Sequence, residues 1–445
     1  MNRLFLSLIS LAACMSSCTS PEPLTDYVDP RIGTAHSRWF FFTPAAVPFG
    51  MAKLAPTTDG HLGNPGGWQA VGYDARHTSI EGFANFHEFQ VGGVVIAPTV
   101  GALQTVPGPL DDPEAGYRSR FDKKDEVARP GYYSVLLKDY GVKAELTATE
   151  RVGFHRYTFP ASEEANLIFN IGTKMGESGP ARDASVTFTE DGRIEGWVVT
   201  EPVYVDIYQK GAVVKMYFSA VVDAEPASWG AFCGEEVFAG ERSRTGVGAG
   251  VYLRFDTRAR RDVGVKIGLS YTSVENARLN MQAEAADLDF DGALLAANEA
   301  WEEALGRIRV EGGKREDRVK FYTGLFHAVL GRGLASDVNG AYPANDGTVG
   351  QIPLDPAGNP LHNHYNTDAI WGRILEPDPV VEHRLSRILR RLDFEPAVGL
   401  QGRRLAGRRH RMQQVCFGRG HQLYGPRHRG GLQLRHPQFR RGARL

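Results

Sequence analysis

The sequence is short of cysteine and of long apolar runs, and from Arg373 onward it is short of lysine and acid. Four cysteines in 445 residues are too few for a disulfide framework. Cys233 and Cys416 have neither a CxxC partner nor the neighbours of a zinc site, and the other two, Cys14 and Cys18, fall within the first eighteen residues. The N-terminal apolar run, Leu4 to Ala13, is ten residues long, against about 20 for a helix that crosses a bilayer. There is no GxxxxGK[ST] loop, no HExxH helix and no well-placed GxSxG turn, so the usual phosphate-cradling, zinc-protease and nucleophile-elbow chemistries have no foothold. Asp29, Asp59 and His61 sit in an early polar stretch and read as solvated turn residues.

What is present divides by charge. Residues 373–445 hold 17 Arg, no Lys and 5 acidic residues, a formal +12, while the rest carries −13 and the whole chain −1. No acid follows Glu395, and clusters such as "GRGHQLYGPRHRGG" are hostile to helix. A shifted reading frame in a GC-rich gene favours Arg, Gly, Pro and His in this way; a genuine basic arm for nucleic acid or anionic lipid is the competing reading. At the other end, "MNRLFLSLISLAACMSSC" has one Arg, the apolar run and then small residues and cysteine, the pattern of a cleaved export signal. Leu11-Ala12-Ala13-Cys14 matches a bacterial lipobox and Met15-Ser16-Ser17-Cys18 is a looser match at a more ordinary length. Lipidation of Cys18 or Cys14 is the expectation, with a plain secretory signal as its alternative.

Periodicity sets the architecture. From about Tyr132 to Thr272 apolar and polar residues alternate in "YYSVLL", "KAELTATERVGFHRYTF", "ANLIFNIG", "YVDIYQKGAVVKMYFSAVV", "GVYLRF" and "VGVKIGLSYTS". "TFTEDGRIEGWVV" predicts a hairpin closed at Asp191-Gly192. Many short antiparallel strands at this spacing predict a large sandwich. From about Leu279 the period becomes helical: "GALLAANEAWEEALGRI" places Leu294, Ala297, Trp301, Leu305 and Ile308 on one stripe, and "REDRVKFYTGLFHAVLGRG" does likewise before stopping at glycine. The expected organisation is a signal peptide over 1–18, an antiparallel β-sandwich domain over 25–275, helices that open an all-α domain over 276–372, and the arginine-rich tail.

Candidate binding residues cluster early. "GGWQAVGYD" puts Trp68 in a glycine-rich loop, and "IEGFANFHEFQVGG" sets His87 and Glu88 between Phe86 and Phe89. An aromatic face can stack on a sugar ring while His, Asn and Glu bond its hydroxyls. A buried core tryptophan and a satisfied core histidine are the bland readings of the same residues.

In order along the chain, "YVDPRIGT", "TPAAVPFGMAKLAP", "GGWQAVGYD", "IEGFANFHEFQVGG", "APTVG", "RPGYYSVLL", "GFHRYTFP" and "FYTGLFHAVL…SDVNG" resemble glycoside hydrolase family 92, the calcium-dependent exo-α-mannosidases, from about Tyr27 to Gly372. The resemblance implies a β-sandwich followed by an (α/α)6 barrel, incomplete here, with an active site in the cleft between them. It implies an inverting mechanism on α-mannose-containing glycans, N-glycans or mannans, with calcium holding the terminal mannose and the acid, the base and most of the calcium shell deep in the barrel, beyond anything matched here. It implies Trp68 as a wall of the sugar subsites. His87 aligns with the second His of the family's "GFSHTH" pattern, Asn85 replacing the first. Where many members carry an Asp after the helix Trp, this chain has Gly372 after Trp371; Asp368, one helical turn back, is the substitute candidate. An exported or outer-membrane lipoprotein of a Gram-negative bacterium that binds no nucleic acid follows from the leader and the resemblance together. A non-catalytic carbohydrate-binding sandwich is the alternative function.

Overall fold

Side chains alternate between the two faces of a strand, so two sheets with one apolar face each close on one another. The computed structural model describes residues 22–35, 41–58, 72–87, 92–173, 178–202, 210–330, 333–344 and 346–365, and two antiparallel sheets dominate them. The larger has nine strands, with Val214–Val222, Asp262–Ser270, Val152–Thr158, Val142–Ala148 and Tyr132–Leu137 as successive neighbours. The smaller has seven, in which Val95–Val100, Ala165–Asn170, Ala249–Phe255 and Ser228–Cys233 run side by side. Phe83, Leu146, Phe169, Phe218, Leu253 and Ile267 are buried in the core they share. The hairpin between Ala181–Phe188 and Arg193–Thr200 turns at Asp191 and Gly192. There the Thr189 N–H donates to the Arg193 carbonyl at 2.8 Å and Gly192 adopts φ +81°, a backbone region glycine enters without cost.

The strand Asp262–Ser270 shows how a second layer is added. Its outward positions are open up to Lys266, and then four residues in succession are buried. Helix α1 (Val274–Ala285) covers that end so closely that a Cβ on Gly268 would lie 2.1 Å from the Ala277 carbonyl oxygen. The Ser273 hydroxyl caps α1 by accepting from the Asn276 N–H at 3.1 Å. Asp289 caps α2 (Phe290–Gly306) by accepting from the Gly292 N–H at 2.8 Å. Helix α3 (Arg315–Leu330) follows. Three helices thus stand where the periodicity marked two, and the helical period begins at Val274 rather than Leu279.

Along α2 the buried stripe is Ala293, Ala297, Trp301 and Leu305. Leu294 is half-buried and Ile308 lies past the helix end, because a four-residue step drifts off the three-residue one chosen from sequence. Trp301 anchors the layer: its ring packs on Phe326 of α3 at 4.6 Å and its indole N–H donates to the Ala46 carbonyl at 2.6 Å. Burying about 200 Å² of such a ring is worth about 5 kcal/mol before entropy is charged against it.

Candidate functional site

The segment Phe41–Thr57 threads the seam between the sandwich and the helices, and aromatic side chains alternate across it. Phe41 stacks on His327 of α3 with centroids 4.2 Å apart, while Phe42 stacks the other way on His87 at 4.6 Å. A turn follows at Phe49, held at φ +60°, a conformation that costs a non-glycine residue of order 1 kcal/mol and is retained where surroundings demand it. The demand is visible: the Phe49 carbonyl accepts from the Leu334 N–H at 2.8 Å, and its ring meets Tyr365 edge-on at 6.2 Å. The strand of chain that leaves the helices is therefore docked on the sandwich at this point.

His87 is 2% exposed, and its backbone N–H donates to the Lys53 carbonyl at 3.1 Å. Neither ring nitrogen has a hydrogen-bond partner among the described residues. The backbones of His87 itself and of Pro56 favour the charged form. Burial dominates and pushes the imidazole pKa down to about 3. A neutral ring of this kind offers one donor and one acceptor and is no proton shuttle near neutrality.

Two loop necks open onto the seam. The first joins Thr58 to Gly72: the Thr58 N–H donates to the Gly72 carbonyl at 2.8 Å, and the Asp74 N–H donates to the Thr58 hydroxyl at 3.0 Å. Arg118, fully buried and paired with Glu81 at 2.8 Å, donates to the Thr58 carbonyl at 2.5 Å. The second neck is Asn85, whose amide donates to the Val94 carbonyl at 2.8 Å. Behind it His155 bridges the Asn85 side-chain oxygen and the Tyr157 hydroxyl, both at 2.8 Å. Trp68 and Glu88 belong to the loops that these necks close and lie outside the described residues, as do Asp368, Trp371, Cys14, Cys18 and the tail from 373. His87 is the one predicted site residue that the structure places.

A polar latch that the sequence did not reveal holds the far side of the seam. The Asp337 carboxylate, 1% exposed, accepts from the Ser270 hydroxyl at 3.0 Å, from the Thr272 hydroxyl and from the Asn280 amide at 2.7 Å. Burial raises its pKa despite those donors. Arg151 reinforces it, donating to the Ser336 carbonyl at 2.8 Å while paired with Glu284 at 2.7 Å. Among the described residues no group of three His, Cys, Asp or Glu side chains converges so as to hold a metal, so these residues do not by themselves build the calcium site that the resemblance implies.

Comparison with known proteins follows the two layers. The glycosyl hydrolase family 92 N-terminal domain model matches residues 27–270 and the family 92 catalytic domain model matches residues 276–374. A family GH92 α-mannosidase from Bacteroides thetaiotaomicron superposes with TM-score 0.70 at 27% identity, covering 79% of this chain and 46% of that one. A GH92 family glycosyl hydrolase named ccman5 gives TM-score 0.65 at 26% identity over 78% of this chain and 45% of its own. An inverting GH92 mannosidase of B. thetaiotaomicron shares the fold, with TM-score 0.62 at 21% identity over 77% and 44%. The chain thus spans less than half the length of these enzymes, and no curated protein matches it. On the match to both domains in order, the chain belongs to glycosyl hydrolase family 92.

Proposed function

We propose that this chain forms the sandwich and first helical part of an exo-acting, inverting α-mannosidase, that it offers the wall around Phe42 and His87 to an α-mannoside of N-glycans or mannans, and that it does not complete hydrolysis by itself. The observation that carries the reading is His87: in a chain matched to both family domains, the seam between them keeps an imidazole whose two ring nitrogens are buried without partners among the described residues. Unmet polar groups in a dry site cost of order 1–3 kcal/mol each, and a sugar hydroxyl both donates and accepts. In this reading Trp68 stacks on the sugar, Glu88 and Asp368 accept from its hydroxyls, and Trp371 lines the same cleft. Inversion requires one carboxylic acid and one carboxylate base about 6.5–9.5 Å apart, and neither role is assigned to a residue of this chain. A sandwich built for binding alone has no need of α1 to α3 docked along its seam.

The test is direct. Incubated with α-1,2-, α-1,3- and α-1,6-mannobiosides, the purified chain should release no mannose with or without calcium. It should bind methyl α-mannoside saturably, with affinity lowered at least tenfold in Trp68→Ala. Calcium-dependent release of mannose overturns the non-catalytic part, and absence of binding overturns the wall.

Export with a lipid on Cys18 or Cys14 places the protein in the periplasm or on the outer membrane, and labelling with radioactive palmitate decides it. Residues 373–445 are read as translation in a shifted frame, which resequencing the DNA around the Arg373 codon decides.

A further inference from the structure

Helix α1 packs over Asp262–Ser270 and reaches the next strands, where Arg278 forks onto the Glu195 carboxylate. Beyond that contact the nine-stranded sheet continues through Arg193–Thr200 and Ala181–Phe188 to Ser243–Thr245 at its edge. Alternation sorts the side chains of this wing. Gly196, Val198, Met216 and Phe218 are buried, the last three in the sandwich core, so Trp197 and Tyr217 belong to the opposite, outer face.

Register then lines them up. Thr245 lies opposite Ser185, Ser185 opposite Trp197, and Trp197 opposite Tyr217, one row across four neighbouring strands. Adjacent strands run about 4.8 Å apart, so the two rings make one continuous platform with hydroxyls at one end. Both aromatics are half-buried. Among the described residues no acceptor takes the Trp197 indole N–H and nothing bonds the Tyr217 hydroxyl, whereas the Trp301 indole N–H is spent on Ala46. The Ser185 and Thr245 hydroxyls lie 3.2 Å apart, and the Ser219 hydroxyl donates to Glu195 at 2.7 Å.

Charge and polarity select the occupant. Around the row stand Asp183, Asp191, Glu195, Glu201 and Glu275 against Arg182, Arg193, Lys215 and Arg278. Arg193 pairs with Asp191 and Arg278 with Glu195. There is no cationic excess for a polyanion, and the hydroxyls interrupt the apolar area that the core of a protein interface needs. A ligand that is neutral, rich in hydroxyls and apolar on one flat face meets all of these conditions, and that description is a pyranose ring.

We propose that the row Thr245, Ser185, Trp197 and Tyr217 is a second glycan-binding surface, separate from the seam, on which a neutral polysaccharide chain stacks its sugar rings. It takes chains rather than single sugars, since each half-buried ring offers only part of a stacking face. The surface is read from the sheet alone; the choice of α-mannan as its chain rests on the function proposed above. The surface then holds the polymer whose ends the seam receives.

The experiment is affinity electrophoresis of the full chain in gels containing soluble α-mannan, beside calorimetric titration with methyl α-mannoside. Combining Trp197→Thr with Tyr217→Thr keeps β-branched residues in both strands and should weaken mannan affinity at least tenfold at unchanged melting temperature, with methyl α-mannoside binding retained. His87→Leu should do the reverse. Footprinting of the unaltered chain needs no variant: α-mannan should slow oxidation of Trp197 by N-bromosuccinimide at least threefold, and heparin should not. Mannan retardation that is absent, or that is unchanged in the double variant, overturns the surface, as does equal oxidation of Trp197 with and without mannan. Protection by heparin as strong as by mannan overturns the neutral occupant. If mannan protects Trp197 while methyl α-mannoside fails to bind, the seam reading falls and this surface stands.

Discussion

His155 lies within the strand Val152–Thr158 in the sandwich interior, and His87 lies at the seam where the helices dock. Burial treats them alike: each is almost wholly hidden, and each is pushed down to about pKa 3. Their partners do not. The Asn85 oxygen can only accept, so His155 Nε2 carries the hydrogen and Nδ1 accepts from the Tyr157 hydroxyl. Every polar atom of that ring is used. The His87 ring has the same capacity and, among the described residues, uses none of it. Burial therefore does not distinguish the two histidines; their partners do.

The largest effect expected is at the satisfied residue. His155→Leu leaves the Asn85 oxygen and the Tyr157 hydroxyl buried without partners, each costing about 1–3 kcal/mol, so urea unfolding should show a loss of about 4 kcal/mol. A loss below 1 kcal/mol would show that the interior tolerates unmet groups and would break the contrast. Asp337→Ala should cost less, about 2–3 kcal/mol. The Ser270 and Thr272 hydroxyls lie 3.1 Å apart and can serve each other, and Asn280 keeps its bond to the Leu269 carbonyl at 2.8 Å. Asp337→Asn preserves the acceptor toward Asn280 and should retain most of the stability that alanine loses; equal losses in the two variants would remove hydrogen bonding as the cause.

Acid sharpens the comparison from the other side. For both histidines the folded pKa lies below the unfolded value of 6.5, so between about pH 6.5 and pH 3 the unfolded chain binds more protons. Their stabilisation is full above that window and is lost as pH falls through it, by about 1.4 kcal/mol per pH unit per ring. Asp337 has the opposite sign: its pKa is raised above 3.8, so the folded chain binds its proton more readily and stability falls as pH rises through that range. His87→Leu should flatten the acid limb by about 1.4 kcal/mol per pH unit. An unchanged slope would mean that His87 is hydrated and has an ordinary pKa.

Among the strands from Tyr132 onward, Arg193–Thr200 and Val214–Val222 were legible because one face is half-wet, while Ala165–Asn170 was read although it is buried throughout. Tyr132–Leu137 was read to the residue. The earlier strands were not. Ala55–Thr57 and Gly82–Ala84 are buried on both faces and have no alternation to read, and Val95–Val100 carries Pro98 opposite Leu167 in an interior strand, where proline argues against a strand. Helix α1 hid for a related reason, since its buried face includes Asn280, which reads as a surface residue until its bonds to Leu269 and Asp337 are seen. His87 could be nominated from its aromatic neighbours. Asp337 could not, because its partners come from 57 to 67 residues away in the chain.

The smallest expected change in stability is the most discriminating. His87→Leu removes two buried polar atoms that have no partner among the described residues, which favours the folded state, and it removes the stacking on Phe42 at 4.6 Å, worth about 0.5–1.5 kcal/mol. The two contributions oppose, and at pH 7 the unfolding free energy should move by less than about 1 kcal/mol. Affinity for methyl α-mannoside should nonetheless fall about tenfold or more, because a bond between a neutral ring and a sugar hydroxyl in a dry site contributes about 1.5 kcal/mol and its loss strands the hydroxyl. His87→Gln restores a donor and an acceptor on a shorter side chain and should recover part of the affinity without altering stability. If affinity stays at the wild-type level in His87→Leu while stability falls by several kcal/mol, then His87 is a core residue like His155, and the seam must bind its sugar through other groups.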